Sequence, residues 1–296
     1  MNFPQDHEIG EAGAAKLSMT GIDGSKQYLR YWQAEQPSAM ILYLHGIEGH
    51  SLWFADTARF MKAKNVAVLA LDRRGSGLSE DLRGDAPSWQ ILMADVRSAI
   101  ELAGTLNPGV PLFLMANCWG AKLGALIAGK DEPTVSKLAG LILSSPAIEV
   151  KVDLDLKTKL NLIWHLISFN KSPFVIPLSV EDFTDNPKYL EFIKNDELRL
   201  TEATAQFFFQ SFLLGLFCKL YAEKIEIPTL LLQSGNDSIV DESGVDAWFR
   251  RISSKDKLLK VFSGCKHSLD FDQNPQEYRK LLLSWILKHA HAEGAL

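Results

Sequence analysis

The first half of the chain alternates short, uninterrupted apolar runs with longer helix-type stretches. A run apolar at every position cannot lie on a half-solvated sheet face, so such runs belong to parallel strands covered by helices on both sides. Ala39–His45, Val66–Asp72, Leu112–Ala116 and Leu138–Ser144 read as four buried strands of this kind. Trp53–Lys64, Ser88–Leu106 and Gly120–Gly129 have the length and apolar spacing of covering helices, and Asn107-Pro108-Gly109 stops the second. Ahead of them, Lys16–Thr20 and Gln27–Gln33 alternate like antiparallel edge strands around Gly21-Ile22-Asp23-Gly24. In an open α/β sheet the ligand crevice forms outside the carboxyl ends of the strands, so chemistry is expected after those four ends.

The rhythm breaks after Pro146 and resumes at Pro228-Thr229-Leu230-Leu231-Leu232. The gap is far longer than an ordinary connection. Residues 149–222 are therefore read as a helical cap inserted between two parts of one core, 1–148 and 223–296. The cap holds two strongly apolar segments, Leu160–Phe169 and Phe207–Leu220. Each falls short of the about 20 apolar residues that a membrane span requires. The main expectation is that they form cap core packed on the sheet, while one face can still line an acyl pocket or touch a lipid surface.

The run Pro111–Ala116 leads into Ala116-Asn117-Cys118-Trp119-Gly120 and then the helix Ala121–Gly129, a strand, sharp turn and helix with a nucleophilic side chain at the apex. Such a turn crowds its neighbours and demands small residues two before and two after the apex, here Ala116 and Gly120. At a helix start, with a histidine partner, Cys118 would be favoured as thiolate. After the cap, strand Thr229–Gln233 runs into Ser234-Gly235-Asn236-Asp237, and strand Leu258–Phe262 into Ser263-Gly264-Cys265-Lys266-His267. Cys118, Asp237 and His267 thus occur in the order nucleophile, acid, base. Asp237 would fix the tautomer of His267 and stabilise its cation. Asp241 lies too far past its strand and Asp270 follows the base on its own loop, so both are weaker candidates. His45-Gly46-Ile47-Glu48-Gly49-His50 follows the first buried strand, and the backbone N–H groups of Ile47 and Trp119 would form an oxyanion hole. His45 and His50 are read as props for that loop.

These stretches, together with Asp72-Arg73-Arg74-Gly75-Ser76-Gly77-Leu78-Ser79 and Glu181-Asp182-Phe183-Thr184-Asp185, resemble the monoacylglycerol lipase/lysophospholipase-like branch of the α/β-hydrolases over nearly the whole chain. The resemblance implies the α/β-hydrolase fold, ester hydrolysis of broad acyl specificity, an oxyanion hole at Ile47 and Trp119, and no cofactor. That branch normally carries serine in Gly-x-Ser-x-Gly, whereas this chain has Ala-x-Cys-x-Gly. A cysteine at this point also resembles dienelactone hydrolases, polyhydroxyalkanoate synthases and aminoacyl shuttling enzymes.

A thiolate exchanges readily with a thioester, whereas an oxoester must expel a more basic alkoxide. The leading expectation is therefore a Cys-His-Asp enzyme acting through an acyl-cysteine, with acyl or aminoacyl transfer or thioesterase chemistry on coenzyme A or a carrier protein. A plain ester or lipid hydrolase is the alternative, and a non-catalytic ligand-binding protein on the same scaffold a third reading. Lys151, Lys157, Lys159 and Lys171 give the front of the cap a local positive bias, read first as solvated lysines. The net charge of −5 disfavours nucleic acid as a partner. Met1–Gly13 has neither a basic leader nor an apolar h-region, so a cytoplasmic setting is expected. Three cysteines at unrelated spacings suggest neither a disulfide framework nor a zinc site. Cys265, two residues before the base, is read as a small buried hydrophobe.

Overall fold

Eight strands form one sheet in the computed structural model: β1 (Ala15–Thr20), β2 (Lys26–Trp32), β3 (Ala39–Leu44), β4 (Val66–Leu71), β5 (Leu112–Asn117), β6 (Gly140–Ser144), β7 (Thr229–Ser234) and β8 (Lys257–Phe262). Residues 13–79 and 82–293 are described; the expectation about an export signal falls almost wholly on residues 1–12, outside them. The order across the sheet is β1-β2-β4-β3-β5-β6-β7-β8. β2 runs antiparallel to both β1 and β4, and the remaining pairs are parallel. Burial follows the reading of the runs. Every residue of β3, β4 and β7 is buried, while β1, at the edge, alternates between half-buried and exposed positions.

Helices cover both faces. On one side α2 (Trp89–Leu106) and α3 (Gly120–Lys130) bury Leu92, Val96, Ile100, Leu123 and Ile127, joined by Val245 and Trp248 of α7 (Glu242–Arg250). On the other, α1 (Ala55–Lys62) and α8 (Gln276–Glu293) bury Ala58, Met61, Leu282 and Ile286. The single helix expected over Trp53–Lys64 is instead a 3-10 turn, Ser51–Phe54, followed by α1, because Phe54 leaves helical backbone angles. Ser88 caps α2 by accepting from the Ile91 N–H. From β3 the chain adds β4 on one side and then β5 on the other, so the order of winding reverses and the ends of β3 and β5 flank the switch point where a crevice opens.

Between β6 and β7 lie α4 (Leu156–Ile167), α5 (Pro187–Lys194) and α6 (Ala205–Tyr221). The expectation that both apolar segments are cap core is only half correct. Helix α6 packs on α2 and α3 and buries Phe207, Leu214 and Cys218. Helix α4 buries only Leu162 among its residues and turns Leu156, Leu160, Ile163 and Ile167 outward, with Trp164 64% exposed. Phe169 just beyond is 90% exposed and sits at a positive φ of 54°. With its 3-10 extension, Ala205–Lys224 is a 20-residue helix of mean hydropathy 1.2, long and apolar enough to cross a membrane, contrary to the length read from Phe207–Leu220. In this fold its polar groups bond to the core: Gln210 accepts from the Trp89 N–H, and Ser211 accepts from Trp119 and Lys122.

The entry of α3 is closely packed. A Cβ on Gly120 would lie 2.5 Å from the His45 carbonyl oxygen and 2.7 Å from that of Leu44. Backbone cannot yield cheaply there, so Gly120→Ala is expected to cost at least about 2 kcal/mol. Urea unfolding measures this, and a loss within 0.5 kcal/mol, roughly the size of a neutral surface change, would contradict the packing argument.

Candidate active site

Cys118 stands between β5 and α3 at a φ of 50°, a left-handed backbone that non-glycine residues adopt rarely. Hydrogen bonds pin the turn from both sides. The Cys118 N–H donates to the Ser144 carbonyl at 2.9 Å, and its own carbonyl accepts from Ala121 and Ala147 at 3.1 and 3.0 Å. Small residues leave room for it, since a Cβ on Gly124 would meet that of Ala116 at 2.9 Å. The loop after β3 crosses directly over the turn: a Cβ on Gly46 would be 3.0 Å from the Cys118 Cβ.

His267 and Asp237 arrive from the ends of β8 and β7. His267 Nδ1–H donates to Asp237 at 2.8 Å to Oδ2 and 3.1 Å to Oδ1, and both side chains are buried. Asp237 Oδ1 also accepts from the Ile239 and Val240 N–H groups. Burial opposes ionisation of Asp237, but the His267 charge and these hydrogen bonds outweigh it and lower its pKa. Burial likewise opposes protonation of His267, but Cys118 and Asp237 prevail and raise it to about 10. Nε2 makes no well-aligned hydrogen bond in this resting geometry, and Cys118 is the group that interacts with it. The structure therefore brings together the three side chains that the sequence had placed at three strand ends. Asp241 caps α7, and Asp270 bonds Thr57 and Tyr278; neither is bonded to His267.

Neither the Ile47 nor the Trp119 N–H donates to another group among the described residues, and both residues line the cavity at Cys118. The loop that carries Ile47 is braced from beneath and from the cap. His45 accepts the Arg73 N–H at Nε2 and donates from Nδ1 to the Gly46 carbonyl, and burial together with the Arg73 charge lowers its pKa to about 3. His50 donates to Asp196, which also accepts from the Trp53 indole at 2.7 Å. Arg199 pairs with Glu48 at 2.7 Å. Both histidines thus hold backbone, as expected. Sequence reasoning missed Arg73, whose buried guanidinium lies 4.7 Å from the Trp119 ring and 4.9 Å from that of Phe207 and donates to the Ile47 carbonyl at 3.0 Å. Its only signal was an arginine in an otherwise familiar loop.

Below this loop a cavity of about 290 Å³ opens at Cys118, lined mainly by Ala147, Val152, Ile176, Leu178, Phe208 and Phe212. Cys265 packs against a different hydrophobic cluster from the one that holds Cys118; burial and then Asp272 push its thiol up to about 12, the reverse of a reactive thiolate. Among the described residues no three His, Cys, Asp or Glu side chains are grouped to hold a metal ion.

Residues 35–274 match the model of the family described as serine aminopeptidase, S33 (Hydrolase_4). The chain belongs to this α/β-hydrolase family. Within it, human monoglyceride lipase is 26% identical over 260 residues, covering 85% of this chain and 82% of that one. Phospholipase YtpA of Bacillus subtilis is 26% identical over 246 residues, covering 80% and 91%. A soluble variant of Saccharomyces cerevisiae monoglyceride lipase in complex with a substrate analog shares the fold at a TM-score of 0.83, with 18% identity over 97% of this chain and 99% of that one. The protein is thus an enzyme of the monoglyceride lipase/carboxylesterase type, and Cys118 stands at its elbow.

The protonated His267 has Cys118 and Asp237 as its two partners. Its raised pKa means that the stability its charge contributes is full below 6.5, the ordinary histidine value, falls above it and is lost as pH rises through about 10. His267→Asn, which removes the imidazolium beside the sulfur, is expected to slow alkylation of Cys118 by iodoacetamide at pH 7 by about tenfold or more, with the gap closing above pH 10 as the wild-type imidazole loses its proton. Equal rates at pH 7 would show that the pair is not coupled.

Proposed function

We propose that this enzyme hydrolyses monoacyl esters of lipid-like acids through an acyl-enzyme on Cys118. The observation that carries the reading is the left-handed Cys118 beneath Gly46, with the buried His267–Asp237 pair behind it and an apolar cavity in front. The Cys118 thiolate attacks the ester carbonyl, and the developing oxyanion is held by the Ile47 and Trp119 N–H groups. His267, protonated at Nε2, then gives its proton to the departing alkoxide, leaving the acyl group as a thioester on Cys118. A water deprotonated by His267 attacks that thioester, expels the thiolate and releases the carboxylic acid. Family membership and the named activities of the human and yeast relatives support an ester of this class.

The cysteine itself favours a second reading, in which the substrate is a thioester and the acyl group passes to an acceptor, because an acyl-cysteine reacts readily with thiols and amines. A docked carrier protein draws little support from the cap lysines. Lys151, Lys159 and Lys171 are already paired with Glu242, Asp153 and Asp85.

Intact-mass spectrometry after brief exposure to a monoacylglycerol and to a matched acyl thioester tests both readings. An acyl adduct from the monoacylglycerol that is absent in Cys118→Ala and discharges in water supports hydrolysis. An adduct from the thioester alone, discharged faster by thiols than by water, favours transfer. No adduct, with higher ester turnover in Cys118→Ser, would remove the acyl-cysteine from the mechanism.

The outward apolar face of α4 and Phe169 supports transient contact of the cap with a lipid surface, where such substrates reside. Replacing Trp164 and Phe169 by Asp is expected to weaken co-sedimentation with phosphatidylcholine vesicles by about tenfold or more, while turnover of a short soluble ester is retained. Unchanged sedimentation would overturn this surface contact.

A further inference from the structure

Hydrogen-bond donors outnumber acceptors at one place in the Cys118 cavity. Lys122, one turn into α3, is the one cation in the cavity lining among the described residues. Its ammonium donates to the Ser211 carbonyl at 3.2 Å and to Ser211 Oγ at 3.1 Å, and no carboxylate is within ion-pairing distance of it among the described residues. Ser211 Oγ also accepts from the Trp119 indole N–H at 2.8 Å. With two donors already pointing at it, that oxygen must turn its own hydrogen elsewhere, and it donates to no group among the described residues. The third ammonium hydrogen is likewise unused. Asp153, the carboxylate in the lining, is exposed and paired with Lys159.

We propose that Lys122 and Ser211 form an anion subsite inside the acyl cavity, and that the preferred substrates are esters whose acyl chain carries a second carboxylate at its far end. The apolar residues of the cavity lining accommodate methylene groups, and the two unused donors match the two oxygens of a carboxylate. One ammonium balances one negative charge, which favours a carboxylate over a doubly charged phosphate. Burial lowers the pKa of Lys122, so an incoming carboxylate would restore what the ammonium loses on leaving water. The subsite refines the hydrolase reading above without depending on the chemistry at sulfur.

The test is equilibrium binding to Cys118→Ala, which separates recognition from turnover. Monomethyl suberate and methyl octanoate, equal in chain length and differing in the terminal carboxylate, are titrated calorimetrically. The expected result is at least tenfold tighter binding of monomethyl suberate, abolished by adding Lys122→Met and largely kept with Lys122→Arg. Equal affinities in the protein that retains Lys122 would overturn the proposal whatever the fold of the variants, and so would a preference that survives Lys122→Met. In that case Lys122 serves only to tie α3 to α6. If Cys118 proves not to be acylated while the preference holds, the acyl-cysteine route fails and the subsite stands.

Discussion

The close approach of Gly120 to the carbonyls of Leu44 and His45 is the contact on which the rest of the site depends. It lets the start of α3 settle against the end of β3, which brings the loop after β3 over Cys118. The same approach forces Cys118 into a left-handed backbone, a conformation that costs of order 1–3 kcal/mol and persists only where its surroundings over-determine it. Here the surroundings do so, with β6 supplying Ser144 as acceptor and Ala147 returning a donor to the Cys118 carbonyl. The backbone of Cys118 is thereby fixed by main-chain contacts on both sides.

The loop that carries Ile47 depends equally on partners distant in sequence. Glu48, His50 and Trp53 are held by Arg199 and Asp196, and the Glu48 carbonyl accepts the Leu200 N–H at 2.9 Å. These are buried or nearly buried polar contacts, and leaving one partner unpaired costs more than forming the pair gains. Residues 196–200 of the cap and residues 47–53 of the core are therefore coupled, so a cap displaced at this point would disturb the N–H of Ile47. Arg73 adds support from below. No carboxylate pairs with it among the described residues, and the faces of Trp119 and Phe207 with two backbone carbonyls take that place.

Much of this was legible in the chain, for identifiable reasons. Runs such as Val66–Leu71 are apolar at every position, and only a doubly covered parallel strand explains that, so the sheet could be read to within a residue or two at most ends. Cys118, Asp237 and His267 each follow such a strand, and strand ends on one edge of a parallel sheet converge. The exposure of α4 was not legible, because an amphipathic pattern states that a face is apolar without stating what covers it. The length of α6 was hidden by the polar residues that extend it past Leu220. Lys122, Ser211 and Asp196 could not be recognised at all, since their meaning lies in contacts across 89 to 146 residues.

On the proposed acyl-cysteine route, the cysteine would set the balance between oxoester and thioester substrates. When a thiolate adds to an oxoester, the tetrahedral intermediate can expel either sulfur or oxygen, and sulfur is the weaker base and the better leaving group. Forward collapse then requires that the alkoxide be protonated as it leaves. His267 is placed for that step: Asp237 holds its Nδ1, Nε2 faces Cys118, and its raised pKa keeps the proton available well above neutrality. With a thioester the two leaving groups are nearly matched, and proton delivery matters less. On that route the preference for one substrate class would be graded by how firmly His267 holds its proton once the cavity is filled. A carboxylate seated at Lys122 would alter the charge in the same cavity, which links recognition of the acyl chain to the partitioning of the intermediate.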